Sequence, residues 1–188
     1  MNLKGIQLNF FSLLLLLIST SGFASEGKIS LTGGYFAISA KANNQTSNVS
    51  NPSAFRVAYQ YPLLNHFEMV GGYSVLLADF SGSDMGYGLD FGANYYPLTF
   101  SSEEKVKDPT ISVKRYQDYS PFLGIGFYQR QFQSVKNSYA GLGGTVGLEK
   151  YYDKKINLKA EARYIQLAGS GESTATEINL LVGIVYKL

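Results

Sequence analysis

The chain has 188 residues with no Cys, no Trp and one His, and its 16 Lys and Arg residues against 14 Asp and Glu residues give a net charge of +2. These numbers exclude disulfides, thiolate metal sites, a Cys nucleophile and a lipid-modified N-terminal cysteine, and they give no general attraction for nucleic acid. One His also removes most hydrolase triads and His-rich metal sites, so we expect no enzyme, cofactor or metal. The chain is rich in Tyr, Phe and Gly, with 15, 12 and 20 residues, at a mean hydropathy of −0.04.

The first segment, Met1–Ala24, has the pattern of a secretory signal peptide. Lys4 supplies the positive start, Phe10–Ile18 is largely apolar, and Gly22-Phe23-Ala24 forms a small-x-small cleavage site. The apolar stretch is about half of the roughly 20 residues that a membrane helix needs. We therefore expect export and cleavage, which leaves residues 25–188 as one domain without a membrane helix.

After residue 27, apolar residues alternate with polar or glycine residues at a period of two, which is typical of strands with two unlike faces. No segment of this part of the chain has a helical period. The pattern predicts an all-β fold with eight strands: Lys28–Ala40, Ala54–Tyr61, Phe67–Ala78, Met85–Tyr96, Phe122–Phe132, Tyr139–Tyr152, Ile156–Ala168 and Ile178–Leu188.

The predicted connections are polar and carry turn residues. They are Lys41–Ser53, Pro62–His66, Asp79–Asp84, Pro97–Ser120, Gln133–Ser138, Asp153–Lys155 and Gly169–Ala175. Pro97–Ser120 is the longest, and within it Thr110–Tyr116 either extends the fifth strand or forms an extra hairpin.

The unlike faces fit either an outer-membrane barrel, apolar outside, or a secreted soluble barrel such as a lipocalin, apolar inside. Glycines crowd the polar face, where they would weaken a solvated strand but would leave room for Tyr128 and Arg130 inside a narrow eight-stranded barrel. The strands run to about 9–13 residues, as a tilted membrane strand requires, whereas soluble strands average about 5–6. These features favour a membrane barrel with two aromatic belts: Tyr61, Phe67, Tyr95, Tyr152 and Tyr186 at one end, and Tyr35, Tyr87 and Tyr164 toward the other.

Three segments carry a family resemblance: residues 87–97, residues 120–127, and the C-terminal strand Ile178–Leu188. With them, the chain resembles the small eight-stranded outer-membrane barrels of the OmpA and OmpX type over about residues 28–188. The resemblance implies an antiparallel up-and-down barrel with both ends in the periplasm. Its implied partners are outer-membrane lipid and the assembly machinery that reads an aromatic-ended last strand. The chain departs from that pattern because it ends in Leu188, two residues after Tyr186.

The candidate site is the polar face, which mixes charges of both signs. If the face is the lumen, the charges form either a filled ion-pair network or the lining of a narrow pore, and the small interior of eight strands favours the network. The lone His66 falls in a predicted turn, far from the rim at which barrel enzymes place a catalytic His, so a turn role is favoured. We therefore predict a non-enzymatic structural or envelope-interaction protein, with a narrow channel as the alternative, and these lumen residues: Arg56, Glu68, Asp90, Arg130, Glu149, Lys159, Glu161, Arg163 and Glu177.

Overall fold

The computed structural model describes residues 27–42, 45–77, 85–98, 101–105, 112–116, 118–132, 138–170 and 173–188. The predicted signal peptide, Met1–Ala24, lies outside these residues. The described residues contain no helix, and so none that could cross a membrane. Their strands are β1 (Lys28–Ala42), β2 (Gln45–Leu64), β3 (Phe67–Leu77), β4 (Met85–Tyr95), β5 (Ser101–Lys105), β6 (Ser112–Tyr116), β7 (Tyr119–Phe132), β8 (Ser138–Tyr151), β9 (Ile156–Ala168) and β10 (Thr174–Lys187).

Eight of these strands close an antiparallel barrel in the order β1-β10-β9-β8-β7-β4-β3-β2, which confirms the predicted fold class. The barrel closes where β1 pairs with β10, from Lys28 opposite Lys187 to Lys41 opposite Thr174. Strand β1 therefore begins, and strand β10 ends, at the same end of the barrel, which we call the terminal end. The other end, where β1 leads to β2 and β9 leads to β10, is the far end.

The alternation predicted from the sequence sorts the side chains between the two surfaces of the wall. In β7, for example, Leu123, Ile125 and Phe127 are exposed on the outside, whereas the inward Tyr128 and Arg130 are buried. Toward the far end the outward residues become polar and stay exposed, as at Gln129, Gln166 and Thr174. Each strand thus contributes about ten residues to an apolar outer band, the height that a tilted strand needs to cross a bilayer.

The predicted connection Lys41–Ser53 is wrong, because the structure continues both strands through it. The pairing of β1 with β2 runs on from Ala37 opposite Ser50 to Ala42 opposite Gln45. Its polar composition suggested a loop, but beyond the apolar band an outward strand face meets water, so polar residues do not end the strand. The register shifts between Gly34 and Phe36, close to Pro52, which cannot donate a ladder hydrogen bond.

The long connection Pro97–Ser120 contains a separate two-stranded sheet. Strand β5 pairs with β6, from Ser101 opposite Tyr116 to Lys105 opposite Ser112. The extra hairpin, rather than an extension of the fifth strand, is therefore the correct one of the two predictions for this segment. The barrel strand that follows, β7, begins at Tyr119, three residues before the predicted start, and Ser120 Oγ donates to the carbonyl oxygen of Leu98 at 2.8 Å.

Inward glycines lie under the largest interior side chains. A Cβ atom at Gly88 would lie 2.7 Å from Nη1 of Arg130, and one at Gly143 would lie 2.9 Å from the ring of Tyr128. Because these distances are shorter than ordinary carbon contacts, the wall can hold Arg130 and Tyr128 only where it carries no side chain of its own.

We predict that Gly88→Ala destabilises the barrel whereas Gly71→Ala does not. The added methyl at Gly88 meets the backbone oxygen of Gln129 and the Arg130 side chain, whereas at the outward Gly71 the nearest atom is 3.9 Å away. Overpacking of this kind costs about 1–3 kcal/mol. Urea unfolding in lipid vesicles, followed by circular dichroism, measures both free energies, and equal values for the two variants would contradict the close packing at Gly88.

Candidate functional site in the barrel interior

The structure places all nine predicted lumen charges inside the barrel. Their exposed fractions range from 0% for Arg130, Glu149 and Glu177 to 6% for Glu68. They form two levels: a charge layer in the middle of the barrel (Arg56, Asp90, Arg130, Lys159, Glu161, Arg163 and Glu177) and a smaller group near the terminal end (Glu68 and Glu149).

Asp90 of β4 is the centre of the charge layer. Its Oδ2 accepts hydrogen bonds from Nε of Arg56 at 2.8 Å, from Nη1 of Arg163 at 3.0 Å and from Oγ of Ser74 at 2.8 Å. Its Oδ1 accepts a hydrogen bond from Nη1 of Arg130 at 2.7 Å. One buried carboxylate therefore joins side chains from β2, β3, β7 and β9 across the lumen.

Arg130 connects this centre to β10. Its Nε and Nη2 donate to the two carboxylate oxygens of Glu177 at 2.8 Å and 3.0 Å, a bidentate pair. Asn179 donates a further hydrogen bond to Glu177 Oε1 at 2.6 Å. The guanidinium groups of Arg130 and Arg163 lie 5.5 Å and 6.0 Å from the centre of the Tyr128 ring, so the aromatic face also supports both cations.

Glu161 of β9 forms the second centre of the charge layer. Its carboxylate lies 2.8 Å from Arg163 Nη2, 3.2 Å from Lys159 Nζ and 3.6 Å from Arg56 Nη1. A cavity of about 20 Å³ lies between Glu161, Arg56, Arg163 and Asp90. That volume is enough for one water molecule, since a buried water needs roughly 10–15 Å³.

The residues near the terminal end form a second polar group. Lys28 pairs with Glu68. The hydroxyl of Tyr96 donates to Glu149 Oε1 at 2.8 Å, and Asn157 donates to Glu149 Oε2 at 3.3 Å. Burial, together with the negative charges of Glu149 and Glu68, raises the pKa of the Tyr96 phenol well above its ordinary value, so Tyr96 stays a neutral donor.

An apolar cluster that was not predicted from the sequence fills the interior toward the far end. Phe36 and Ile38 of β1 pack there with inward residues near the far ends of other strands, such as Leu76, Tyr139 and Leu167. These side chains are between 1% and 7% exposed. We call this group the apolar cap; its further buried members are Ala54, Tyr128, Ile165, Ala175 and Leu181.

Other residues also join the interior without having been predicted, namely Lys28, Ser74, Tyr96 and Asn179. Each of the four, Tyr96 included, occupies an inward position of the two-residue alternation, so parity alone could have identified it. Tyr96 follows the end of β4, and its backbone nitrogen donates to the carbonyl oxygen of His66 at 2.8 Å. This bond follows the pairing of Phe67 with Tyr95 and keeps Tyr96 in the inward phase of β4.

His66 lies in the tight turn between β2 and β3 at the terminal end, as predicted. Its Nδ1 lies 2.7 Å from the carbonyl oxygen of Tyr96, a backbone contact that fixes the ring. Among the described residues there is no group of three or more His, Cys, Asp or Glu side chains arranged to hold a metal ion. The described interior side chains make ion pairs and hydrogen bonds with one another.

Comparison with solved structures identifies the fold. Neisserial surface protein A (NspA) matches 86% of this chain and 97% of its own, with 14% identity and a TM-score of 0.57. The N-terminal β-barrel domain of Pseudomonas aeruginosa OprF matches 87% of this chain and 100% of its own, with 13% identity and a TM-score of 0.50. This is the fold of the small eight-stranded outer-membrane barrels. No protein-family model matches the chain, and no curated protein matches its sequence.

We predict that Arg130→Ala lowers the free energy of unfolding by about 3–5 kcal/mol, because it leaves Asp90 and Glu177 buried without their shared cation. Lys154→Ala, in an exposed turn, is the matched control and should change it by less than about 0.5 kcal/mol. Urea unfolding of the folded barrel in vesicles measures both. A loss at Arg130 no larger than the loss at Lys154 would contradict a structural ion-pair network.

A second prediction concerns Tyr96, which is neutral in the folded state. Tyr96→Phe should cost about 1.5–3 kcal/mol at pH 8, the value of a hydrogen bond to a charged group. Because folding raises the pKa of Tyr96, its contribution is complete below the unfolded value near 10 and declines as the pH rises further. The stability gap between wild type and Tyr96→Phe should therefore narrow from pH 10 upward. A gap that stays constant to pH 11 would contradict this assignment.

Proposed function

We propose that the protein is a non-enzymatic outer-membrane barrel with a structural or envelope-interaction role and a filled lumen. The observation that carries the proposal is the pair of layers that cross the interior. The charge layer joins side chains from six of the eight barrel strands through Asp90, Arg130 and Glu161. The apolar cap then closes the far half with tightly buried side chains.

The outer surface supports placement in a bilayer. Large apolar side chains that a soluble barrel would bury are exposed in the outer band, among them Phe55, Met69, Phe91 and Val182 at 47–64%. Outward aromatic residues mark the terminal end, where the rings of Phe67 and Tyr95 lie 4.9 Å apart. In the proposed orientation the terminal end faces the periplasm, Met1–Ala24 is removed on export, and β10 is the strand that the assembly machinery reads.

The β1–β2 hairpin is the surface that we assign to envelope interaction. Residues 45–51 of β2 pair with β1 but with no described residue of β3. The outward side of this segment is polar and exposed, with Ser39 and Lys41 on β1 and Thr46, Asn48 and Ser50 on β2. A polar strand pair that extends beyond the apolar band would present hydrogen-bonding groups to the cell exterior.

The alternative function is a narrow channel for small solutes, and one observation favours it. Several buried polar atoms in the half nearest the terminal end make no hydrogen bond to any described residue, including both amide atoms of Gln60, Oγ1 of Thr32 and Oδ1 of Asn157. Buried polar groups of this kind are normally satisfied by water, so this half would hold water continuous with the periplasm. Conduction would then require a break in the apolar cap.

We predict that the refolded mature protein gives no discrete conductance steps in a planar bilayer, because apolar constrictions exclude water and ions. Circular dichroism and the difference in gel mobility between unheated and boiled samples control for folding. Steps from a correctly folded sample would contradict the filled lumen. A change of ion selectivity in Arg130→Ala would then assign the charge layer to a pore.

A further inference from the structure

A groove of about 690 Å³ runs along the outer wall where β4, β7, β8 and β9 meet. Its floor is Gly144 of β8, an outward position without a side chain. Its walls are formed by larger outward residues, namely Phe91, Ile125, Phe127, Leu142 and Tyr164.

The register explains why the groove forms at this place. Gly144 lies directly opposite Ile125 on β7 and directly opposite Tyr164 on β9, and Leu142 is the next outward residue on its own strand. Because no side chain at Gly144 shields its neighbours, Ile125 and Leu142 are 76% and 70% exposed. A Cβ atom at Gly144 would have only the carbonyl oxygen of Gly124 near it, at 3.9 Å, so the wall itself does not require a glycine here.

The position of the groove indicates what can occupy it. It lies within the apolar band, and its upper limit is Gln166, whose Nε2 donates to the hydroxyl of Tyr164 at 3.2 Å. An empty apolar groove in a membrane loses dispersion contacts on one side. A second barrel is a poor filler, because two convex walls touch along a narrow line, far less than the roughly 800 Å² per partner of a stable interface.

The lack of charged side chains in the described lining of the groove limits which lipid headgroups can bind at its rim. Its lining residues in the described part of the chain include no charged side chain, and its rim offers only the neutral groups of Gln166 and Tyr164. A headgroup with several phosphates would find no cation there, whereas a zwitterionic headgroup needs none.

From this geometry we infer that the groove over Gly144 binds one acyl chain of a zwitterionic phospholipid, with its headgroup at the level of Gln166. The inference rests on the membrane placement proposed above. It assigns Gly144 as the residue that creates the binding site and Ile125, Leu142 and Tyr164 as its walls.

The chain contains no Trp, so single tryptophans can report on contact with phosphatidylcholine that carries bromine on its acyl chains. Phe127→Trp places the reporter in the groove. Tyr35→Trp places it at a similar height on β1, on the opposite wall of the barrel. Each refolded protein in detergent micelles is titrated with the brominated lipid, and the quenching of tryptophan fluorescence is measured.

We expect the groove reporter to be half-quenched at a lipid-to-detergent ratio about tenfold lower than the Tyr35→Trp reporter. Adding Gly144→Leu to the Phe127→Trp protein should remove this difference. Gly33→Leu, at an outward glycine of β1 on the opposite wall, where an added Cβ atom lies no closer than 3.4 Å to its neighbours, should preserve it.

Equal curves for the two reporters in the wild-type background would overturn the acyl-chain site, and this comparison needs no substitution at Gly144. A dimer in sedimentation that Gly144→Leu abolishes would also overturn it, by assigning the groove to a second copy. If neither reporter is quenched even in vesicles of the brominated lipid, the membrane placement itself fails, which is a distinct result.

Discussion

The interior depends on one buried carboxylate, that of Asp90, which accepts hydrogen bonds from three arginines. Three guanidinium groups without counter-charges could not share so narrow a lumen, because isolated charges are costly to bury. Asp90 binds Arg56, Arg130 and Arg163 directly, and Glu177 completes the shell of Arg130. Since these residues come from five strands, the same contacts that neutralise the charges also hold opposite walls of the barrel together.

This arrangement accounts for the composition of the chain. A barrel in a bilayer faces lipid outside, so its polar contacts must lie within the wall or in the lumen. Long charged side chains fill a lumen of eight strands only where facing positions are small, as at Gly88 beneath Arg130. The apolar cap fills the remaining far half with Phe36, Leu76 and Tyr139. The balanced charges, the many glycines and the aromatic residues therefore all follow from the need to fill the narrow interior of an eight-stranded barrel.

Much of this architecture could be predicted from the sequence, because a period of two assigns each strand residue to one face without knowledge of the register. Parity placed Asp90, Arg130 and Glu177 on the same inward face. It could not predict that Arg130 binds both carboxylates, because that pairing depends on which strands are neighbours. Polarity was misleading at Lys41–Ser53, where the strands continue beyond the apolar outer band and their outward side chains are polar and exposed. Parity did not predict the apolar cap either, because the charged residues indicated a polar inward face, whereas Phe36 and Leu76 on that face are apolar.

The filled lumen is tested most directly by the chemical accessibility of Ser74, which is 4% exposed and donates to Asp90. Because the chain has no cysteine, Ser74→Cys introduces a single thiol in the charge layer, and Ser39→Cys introduces one on the exposed outer side of β1. If the lumen is filled, a small water-soluble methanethiosulfonate reagent modifies Ser39→Cys in the folded barrel and leaves Ser74→Cys unmodified until the protein is unfolded. Modification of Ser74→Cys in the folded barrel at the rate of Ser39→Cys would show an open, water-filled lumen and would contradict the account.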